Sequence, residues 1–137
     1  MTHEDLAISY LKKIEVRAKV LQIYLEEGDY SDVVRESQEL VELAIKGILR
    51  KFTIDPPKLH DVGKILLECK NRFNSEDQLL LEKIADASKW LRKERELSMY
   101  GEIDFIPSEE YTLEEANRAI ESAIMCLNLA RKIIKKI

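Results

Sequence analysis

Histidine and cysteine are scarce in this sequence, and their positions exclude most metal chemistry. Two histidines, His3 and His60, occur in 137 residues, and neither belongs to the repeated Glu-x-x-His pairs of a di-iron bundle. Cys69 and Cys126 are far apart with no Cys-x-x-Cys pairing, which predicts two small buried side chains rather than a disulfide or a metal site. A glycine-rich phosphate loop, a Gly-x-Ser-x-Gly turn and a Cys–His site are missing too. We therefore expect neither a metal nor a cofactor.

Long apolar runs and an excess of positive charge are also absent. No stretch is long and apolar enough to span a bilayer, and Met1 to Leu6 lacks the apolar core of a signal peptide, so we expect a cytoplasmic protein without a membrane segment. The net charge is −4 and the pI about 5.4, whereas duplex-DNA binders usually show a basic domain. Duplex DNA is therefore excluded as a partner, and any contact with nucleic acid must come from a local patch.

Charged and hydrophobic residues make up most of what is present. The chain is 45% hydrophobic and 35% charged, against about 25% charged in a typical globular protein. Lysine and glutamate supply the surplus, and glycine and proline are few, which is typical of long solvated helices and favours a heat-loving source. The length predicts one domain over residues 1–137.

Apolar residues recur at helical spacing along the whole chain. They predict five helices, at about residues 4–27, 30–52, 59–73, 75–99 and from 113 nearly to 137. Capping boxes are expected at Thr2 with Asp5, Ser75 with Gln78, and Thr112 with Glu115, and Gly28 is expected to end the first helix. The predicted fold is all-α, a five-helix up-and-down bundle with four long helices and one short helix.

The second predicted helix is apolar over more than half of its circumference. Only a narrow polar strip remains, in which i,i+4 pairs are expected: Arg35 with Glu39, and Glu42 with Lys46. Gly47 indicates the close approach of another helix. One small bundle is expected to cover this helix incompletely, and Trp90 lies off the main stripe of its own helix, so the sequence predicts a homodimer.

Arg95 is the most informative candidate for a site. An inward stripe is expected on the fourth helix at Leu80, Ile84, Ala87 and Leu91, and Arg95 falls at its edge, one turn beyond Leu91. An arginine there either contacts a phosphate in a cleft or forms a buried pair with a glutamate, for example Glu42. Tyr100 precedes the turn at Gly101 and is expected to converge with Arg95 on the same cleft.

Two further groups allow both a functional and a structural interpretation. The basic cluster Lys89, Arg92, Lys93 and Arg95, with Trp90 among them, could hold nucleic acid, but the interleaved Glu94 and Glu96 favour a solvated helix face. His60 and Asp61 could form an acid–base pair. Adjacent residues do not face each other on a helix, so a helix-capping role is favoured.

Three stretches follow one another over about Glu27 to Tyr111. They are Gly28-Asp29-Tyr30 with Arg35 to Glu39, Glu42 and Lys46; Pro56-Pro57-Lys58-Leu59-His60-Asp61-Val62; and Arg95 through Tyr100-Gly101. In this order and spacing they resemble the HEPN family of prokaryotic nucleotide- and RNA-associated domains.

The resemblance implies a helical-bundle homodimer with a cleft between the protomers. It also implies pairing with a minimal nucleotidyltransferase, often as a toxin–antitoxin couple. The resemblance implies that many family members are metal-independent ribonucleases, in which an arginine holds the scissile phosphate and a histidine, after about four to six intervening residues, takes the 2′-hydroxyl proton. Here Tyr100 stands at that spacing from Arg95, and a tyrosine is a poor general base at neutral pH.

The sequence therefore favours a non-catalytic homodimer that binds a nucleotide or RNA phosphate and partners a nucleotidyltransferase. The candidate ligand-binding residues are Arg95, Tyr100, Arg92, Glu42 and Lys46, and His60 and Asp61 are further candidates. Two alternatives stay open. One is a ribonuclease that uses Arg95 with Tyr100 or His60, and the other is a purely structural helical adaptor.

Overall fold

The described residues form five α-helices and one short 3₁₀ turn. A computed structural model describes residues 2–56, 61–99 and 110–135, with the backbone alone at 96–99. The helices are α1 (His3–Glu26), α2 (Tyr30–Lys51), α3 (Val62–Glu68), α4 (Ser75–Met99) and α5 (Leu113–Ile134), and the 3₁₀ turn spans Lys70–Arg72. The described residues contain no strand. The predicted all-α class with four long helices and one short helix is confirmed.

Helix caps follow the sequence at two of the three predicted capping boxes. Thr2 and Asp5 form a reciprocal box at the start of α1, and Thr112 and Glu115 form one at the start of α5. Gly28 follows α1 with a φ of 73°, a left-handed conformation that glycine adopts without strain.

The prediction of a third capping box, Ser75 with Gln78, was wrong. Ser75 is already the first residue of α4, and the carboxamide oxygen of Asn74 accepts from the Asp77 N–H at 2.8 Å. Gln78 donates instead to the Phe73 carbonyl at 2.9 Å. Asparagine is as good an N-cap as serine, so the neighbouring residue takes the role.

The third helix is shorter than the predicted 59–73. Its described part begins at Val62, after Asp61 as N-cap, and the α-helix ends at Glu68. The N–H of Cys69 bonds to the carbonyl of Leu66, and that of Arg72 bonds to the carbonyl of Cys69. These i to i−3 bonds tighten the chain into 3₁₀ geometry, which apolar spacing alone does not distinguish from an α-helix.

Helix α2 runs through the centre of the fold. It contacts α1, α3, α4 and α5, and the residues that stay partly exposed form the strip that contains Arg35, Glu39, Glu42 and Lys46, as predicted. A Cβ added at Gly47 would lie 3.0 Å from Ile134 and 3.3 Å from Tyr10, so this glycine does mark a close approach, by α5 and α1.

The apolar surface of α2 is covered within one chain. Its large apolar side chains are buried apart from Leu43, which is half-buried. Trp90 packs partly against the core, and the Arg118 guanidinium stacks 3.9 Å above its ring. Neither feature therefore supports a homodimer in the way that the sequence indicated, and the homodimer stays a prediction.

The inward stripe of α4 lies one residue away from the predicted one at its start. Ile84, Ala87 and Leu91 are buried as predicted, together with Ser88, but Leu81 is fully buried in place of Leu80, which is only partly buried. Asp77 precedes this stripe and is also buried, and Arg95 continues it by one turn beyond Leu91. Both ends of the stripe are thus charged residues.

Two smaller expectations concern thiols and membranes. Cys69 and Cys126 are free and buried, as expected of small core side chains, and burial raises the pKa of Cys126 to about 12. Within the described ranges, no helix is both long and apolar enough to cross a membrane.

Candidate functional site: an arginine–glutamate cluster

The carboxylate of Glu39 brings arginines from three helices together. Nη2 of Arg95, from α4, donates to Oε1 of Glu39 at 3.1 Å. Nη1 of Arg17, from α1, donates to Oε2 at 2.6 Å. Arg35, on α2 itself, forms a looser ion pair with Oε1 at 3.8 Å. One carboxylate on the polar strip of α2 therefore positions three guanidinium groups.

Glu36 contacts two of these three arginines, Arg17 and Arg35. Its carboxylate accepts from Nη1 of Arg17 at 2.5 Å and pairs with Nη2 of Arg35 at 3.2 Å, and its side chain is buried. Burial opposes the charge of Arg35, but its hydrogen bond to Asp32 and the nearby carboxylates of Glu36 and Glu39 outweigh this and raise the pKa of Arg35. We call Arg17, Arg35, Arg95, Glu36 and Glu39 the arginine cluster.

A cleft of about 220 Å³ opens beside the arginine cluster. Its lining is largely charged and consists of Arg17, Glu39, Glu42, Leu43, Lys46 and Arg95. Three cations face two carboxylates there, so the lining carries a local surplus of one positive charge on a chain whose net charge is −4. The volume is below the roughly 300–1,000 Å³ of a typical small-molecule pocket, so the cleft suits a phosphate group better than a whole nucleotide.

Three predicted residues meet at this cleft. Arg95, Glu42 and Lys46 line it, and Nζ of Lys46 lies 3.8 Å from Oε1 of Glu42, as the i,i+4 spacing predicted. The suggested pairing of Arg95 with Glu42 was wrong. Arg95 pairs with Glu39, whereas the Glu42 carboxylate is engaged by Lys46 and by a hydrogen bond from Gln38 at 3.1 Å.

The other predicted residues lie elsewhere or outside the described ranges. Arg92 faces the start of α3, where its guanidinium lies 3.8 Å from Asp61. Asp61 is an N-cap and accepts from the Gly63 N–H at 3.0 Å, which is the structural role that the sequence favoured. Tyr100 and His60 fall outside the residues that the structure describes.

Arg17 and Glu36 were missed at the sequence level. Glu36 is buried between Val33 and Leu40 on the core side of α2, so the rule that singled out Arg95 applies to it equally. Arg17 adjoins the buried stripe of α1, but its partners lie on another helix. A single helix pattern gives no signal for such a contact.

Tyr111 lies just before α5 and bonds to Glu94 of α4. Its hydroxyl donates to the Glu94 carboxylate at 2.9 Å, and its side chain is buried. Burial and this hydrogen bond raise the pKa of the Tyr111 phenol. Tyr111 therefore stays neutral and connects the end of α4 to α5.

Metal ligands do not cluster in the described part of the chain. No group of three or more His, Cys, Asp or Glu side chains is placed there to hold a metal ion. The arginine cluster is instead a site of guanidinium donors and carboxylate acceptors.

The fold and the cluster define the class: an all-α bundle whose central helix carries the charged residues of a small cleft. A model of the HEPN domain family matches residues 10–135. The chain therefore belongs to the HEPN family, and the resemblance seen in the sequence is confirmed. No curated protein and no solved structure matches the chain significantly.

Proposed function

We propose that this HEPN protein binds a phosphate group of a nucleotide or of RNA in the cleft beside the arginine cluster, without cleaving it. One observation carries the proposal: two arginines from different helices and Lys46 face the same small cleft, where cations outnumber carboxylates. A planar guanidinium presents parallel N–H donors that match phosphate oxygens, so two of them make a selective anion site.

Glu39 gives this site its geometry. It already holds Arg17 and Arg95 at 2.6 and 3.1 Å, so a phosphate meets guanidinium groups that are gathered before it arrives. The side chain of Arg95 is 42% exposed, which leaves it accessible from solvent. Preorganisation of this kind lowers the ordering cost of binding.

The absence of cleavage follows from the residue spacing of the family. Tyr100 occupies the position of the histidine in the ribonucleases, and an ordinary tyrosine, with a pKa of about 10, is protonated at neutral pH. The two histidines of the sequence are His3 and His60, and His60 directly precedes the helix-capping Asp61. The proposal therefore assigns Arg95 to binding and no residue to proton abstraction.

The proposal includes a homodimer and a minimal nucleotidyltransferase partner in a toxin–antitoxin-like pair. Family membership over residues 10–135 supports both. Residues of α1, α2 and α4 line the cleft in one chain, and the proposal places the contribution of the second protomer at the same ligand. Light scattering at micromolar concentration tests the dimer, and a monomer would contradict it.

Binding of ADP and of a short oligoribonucleotide to the purified protein tests the phosphate site. Arg95→Ala should weaken binding about tenfold or more, and Arg95→Lys should restore only part of it, because an ammonium group cannot make the bidentate contact. Arg92→Ala is the matched control, an arginine on the same helix whose guanidinium faces Asp61 outside the cleft. Equal losses of affinity in the two alanine variants would contradict the phosphate site. If the wild type binds neither ligand, the remaining function is the purely structural helical adaptor.

A further inference from the structure

The outward side of α1 carries exposed apolar residues and lysines. Ile8, Val16 and Ile23 are 42%, 59% and 58% exposed. At about 100° per residue, they share an arc of about 80° with Lys12 and Lys19. We call these five residues the α1 outer face. Its ends lie 15 residues apart, which is about 22 Å along a helix.

Between Ile8 and Ile23 this face carries lysines and no carboxylate, whereas Asp5 and Glu26 continue the same arc beyond its two ends. From Ile8 to Ile23, the exposed residues of α1 are three lysines, three large apolar residues, Ser9 and Gln22, with no carboxylate among them. Lys12, Lys13 and Lys19 form no ion pair with any described residue. The whole chain has 26 acidic and 22 basic residues, so this composition departs from the rest of the surface.

Grooves flank α1 on both sides of the face. One, of about 510 Å³, lies towards α5 and contains Ile8 and Lys12, together with the charged residues Glu4, Glu15 and Lys135. The other, of about 530 Å³, lies towards α2 and contains Lys12, Lys13, Val16 and Val20, with Arg17 and Glu36 of the arginine cluster at its border. Apolar anchors in grooves with a charged border are the pattern that receives an amphipathic helix.

We infer that the α1 outer face docks a partner protein through an amphipathic helix with an apolar ridge and acidic flanks. Charge decides the occupant. The exposed lysines favour carboxylates on the partner, and Ile8, Val16 and Ile23 require apolar side chains between them. The inference goes beyond the phosphate site and does not depend on it.

A second copy of this chain fits the face poorly. In an antiparallel pair that places Ile8 against Ile23, Lys12 of one copy lies opposite Lys19 of the other, and in a parallel pair each lysine faces itself. Like charges in register oppose such pairing. A nucleic-acid strand fits less well too, because the exposed positions from Ile8 to Ile23 include no aromatic residue on which bases stack.

Two synthetic helices of about 18 residues test the inference. Both have the same leucine ridge, and one has glutamate flanks and the other lysine flanks. Anisotropy titrations should show the glutamate helix binding at least about tenfold more tightly to the wild type. Lys12→Glu with Lys19→Glu should reverse this preference, whereas Lys83→Glu with Lys89→Glu, two exposed lysines of α4, should leave it unchanged.

Apolar variants complete the test. Val16→Ser with Ile23→Ser should weaken the glutamate helix about tenfold. Leu79→Ser is the control, an apolar residue of α4 that is 77% exposed.

The inference is overturned if neither helix binds, if both bind equally, or if the double charge reversal leaves the preference unchanged. It is also overturned if Ile23→Glu turns a dimer into a monomer, because a second copy of the chain then covers the face. The same holds if the variant with Lys12→Glu and Lys19→Glu loses affinity for an oligoribonucleotide while its affinity for both synthetic helices is unchanged. Loss of nucleotide binding at the cleft is a separate readout, since these variants lie outside it.

Discussion

Arg95 donates a hydrogen bond to Glu39 across 56 residues of sequence, with Nη2 and Oε1 3.1 Å apart. This contact joins the end of α4 to the middle of α2. The same carboxylate accepts from Arg17 of α1. Glu39 thus connects three helices at the cleft, and its loss should affect both stability and ligand binding.

Glu39→Gln should destabilise the protein by about 1–3 kcal/mol. Three guanidinium groups lose their shared carboxylate, but the 24% exposure of Glu39 keeps the cost below the roughly 3–5 kcal/mol of a fully buried pair. Urea unfolding measures the difference. Glu42→Gln is the matched control on the same strip and should cost only about 0.3–0.5 kcal/mol, since its partner Lys46 lies 3.8 Å away. Equal effects would show that the cluster adds nothing to an ordinary surface pair.

Local signals allowed much of this fold to be predicted. The polar strip of α2 and the two capping boxes depend on residues near one another in sequence, which helix periodicity and capping chemistry describe directly. Gly47 was informative because a glycine inside an apolar helix is costly without a packing reason. Arg95 was found because a charged residue beside an apolar stripe needs a partner.

The partner itself could not be predicted. Glu39 and Glu42 lie on the same strip of α2, and the rotation of α4 against α2 decides which one Arg95 reaches. Packing of the whole bundle sets that rotation. Arg17 enters the cluster for the same reason, because the contact between α1 and α2 brings it to Glu36 and Glu39.

Gly47→Ala should destabilise the protein by about 1 kcal/mol. Alanine favours the helix by about 1 kcal/mol, but the new Cβ would lie 3.3 Å from the Cβ of Tyr10, which cannot move without its backbone, and overpacking costs about 1–3 kcal/mol. Thermal unfolding measures the change. The new Cβ would also lie 3.0 Å from Cδ1 of Ile134, so the cost should be smaller in an Ile134→Val background. Stabilisation by alanine in the wild-type background would contradict this packing.

Tyr111 should make the fold sensitive to alkaline pH. Its pKa is raised in the folded protein, so the folded state holds the phenolic proton longer than the unfolded chain does. The contribution to stability is therefore complete below the unfolded pKa of about 10 and falls as pH rises above it, by at most about 1.4 kcal/mol per pH unit. Urea unfolding from pH 8 to 11 measures the slope.

The Tyr111→Phe variant isolates this slope from the other titrating groups. At pH 8 its free energy of unfolding should be lower than that of the wild type by about 0.5–1.5 kcal/mol, because phenylalanine cannot make the hydrogen bond to Glu94. Above pH 10 its stability should fall less steeply than that of the wild type. Identical slopes for the two proteins would show that Tyr111 does not titrate with folding.

RNA cleavage is the prediction that separates a binding protein from an enzyme. The wild type should not cleave a labelled oligoribonucleotide at neutral pH, because Arg95 can hold a phosphate while Tyr100, at the spacing of the family's histidine, keeps its proton. Tyr100→His should introduce weak cleavage, since a histidine with a pKa of about 6.5 can accept the 2′-hydroxyl proton. Adding Arg95→Ala to Tyr100→His should abolish it, which also excludes a contaminating nuclease. Cleavage by the wild type that disappears in Arg95→Ala would reverse the assignment and make Arg95 part of an active ribonuclease. His60→Ala would then show whether the remaining candidate supplies the base.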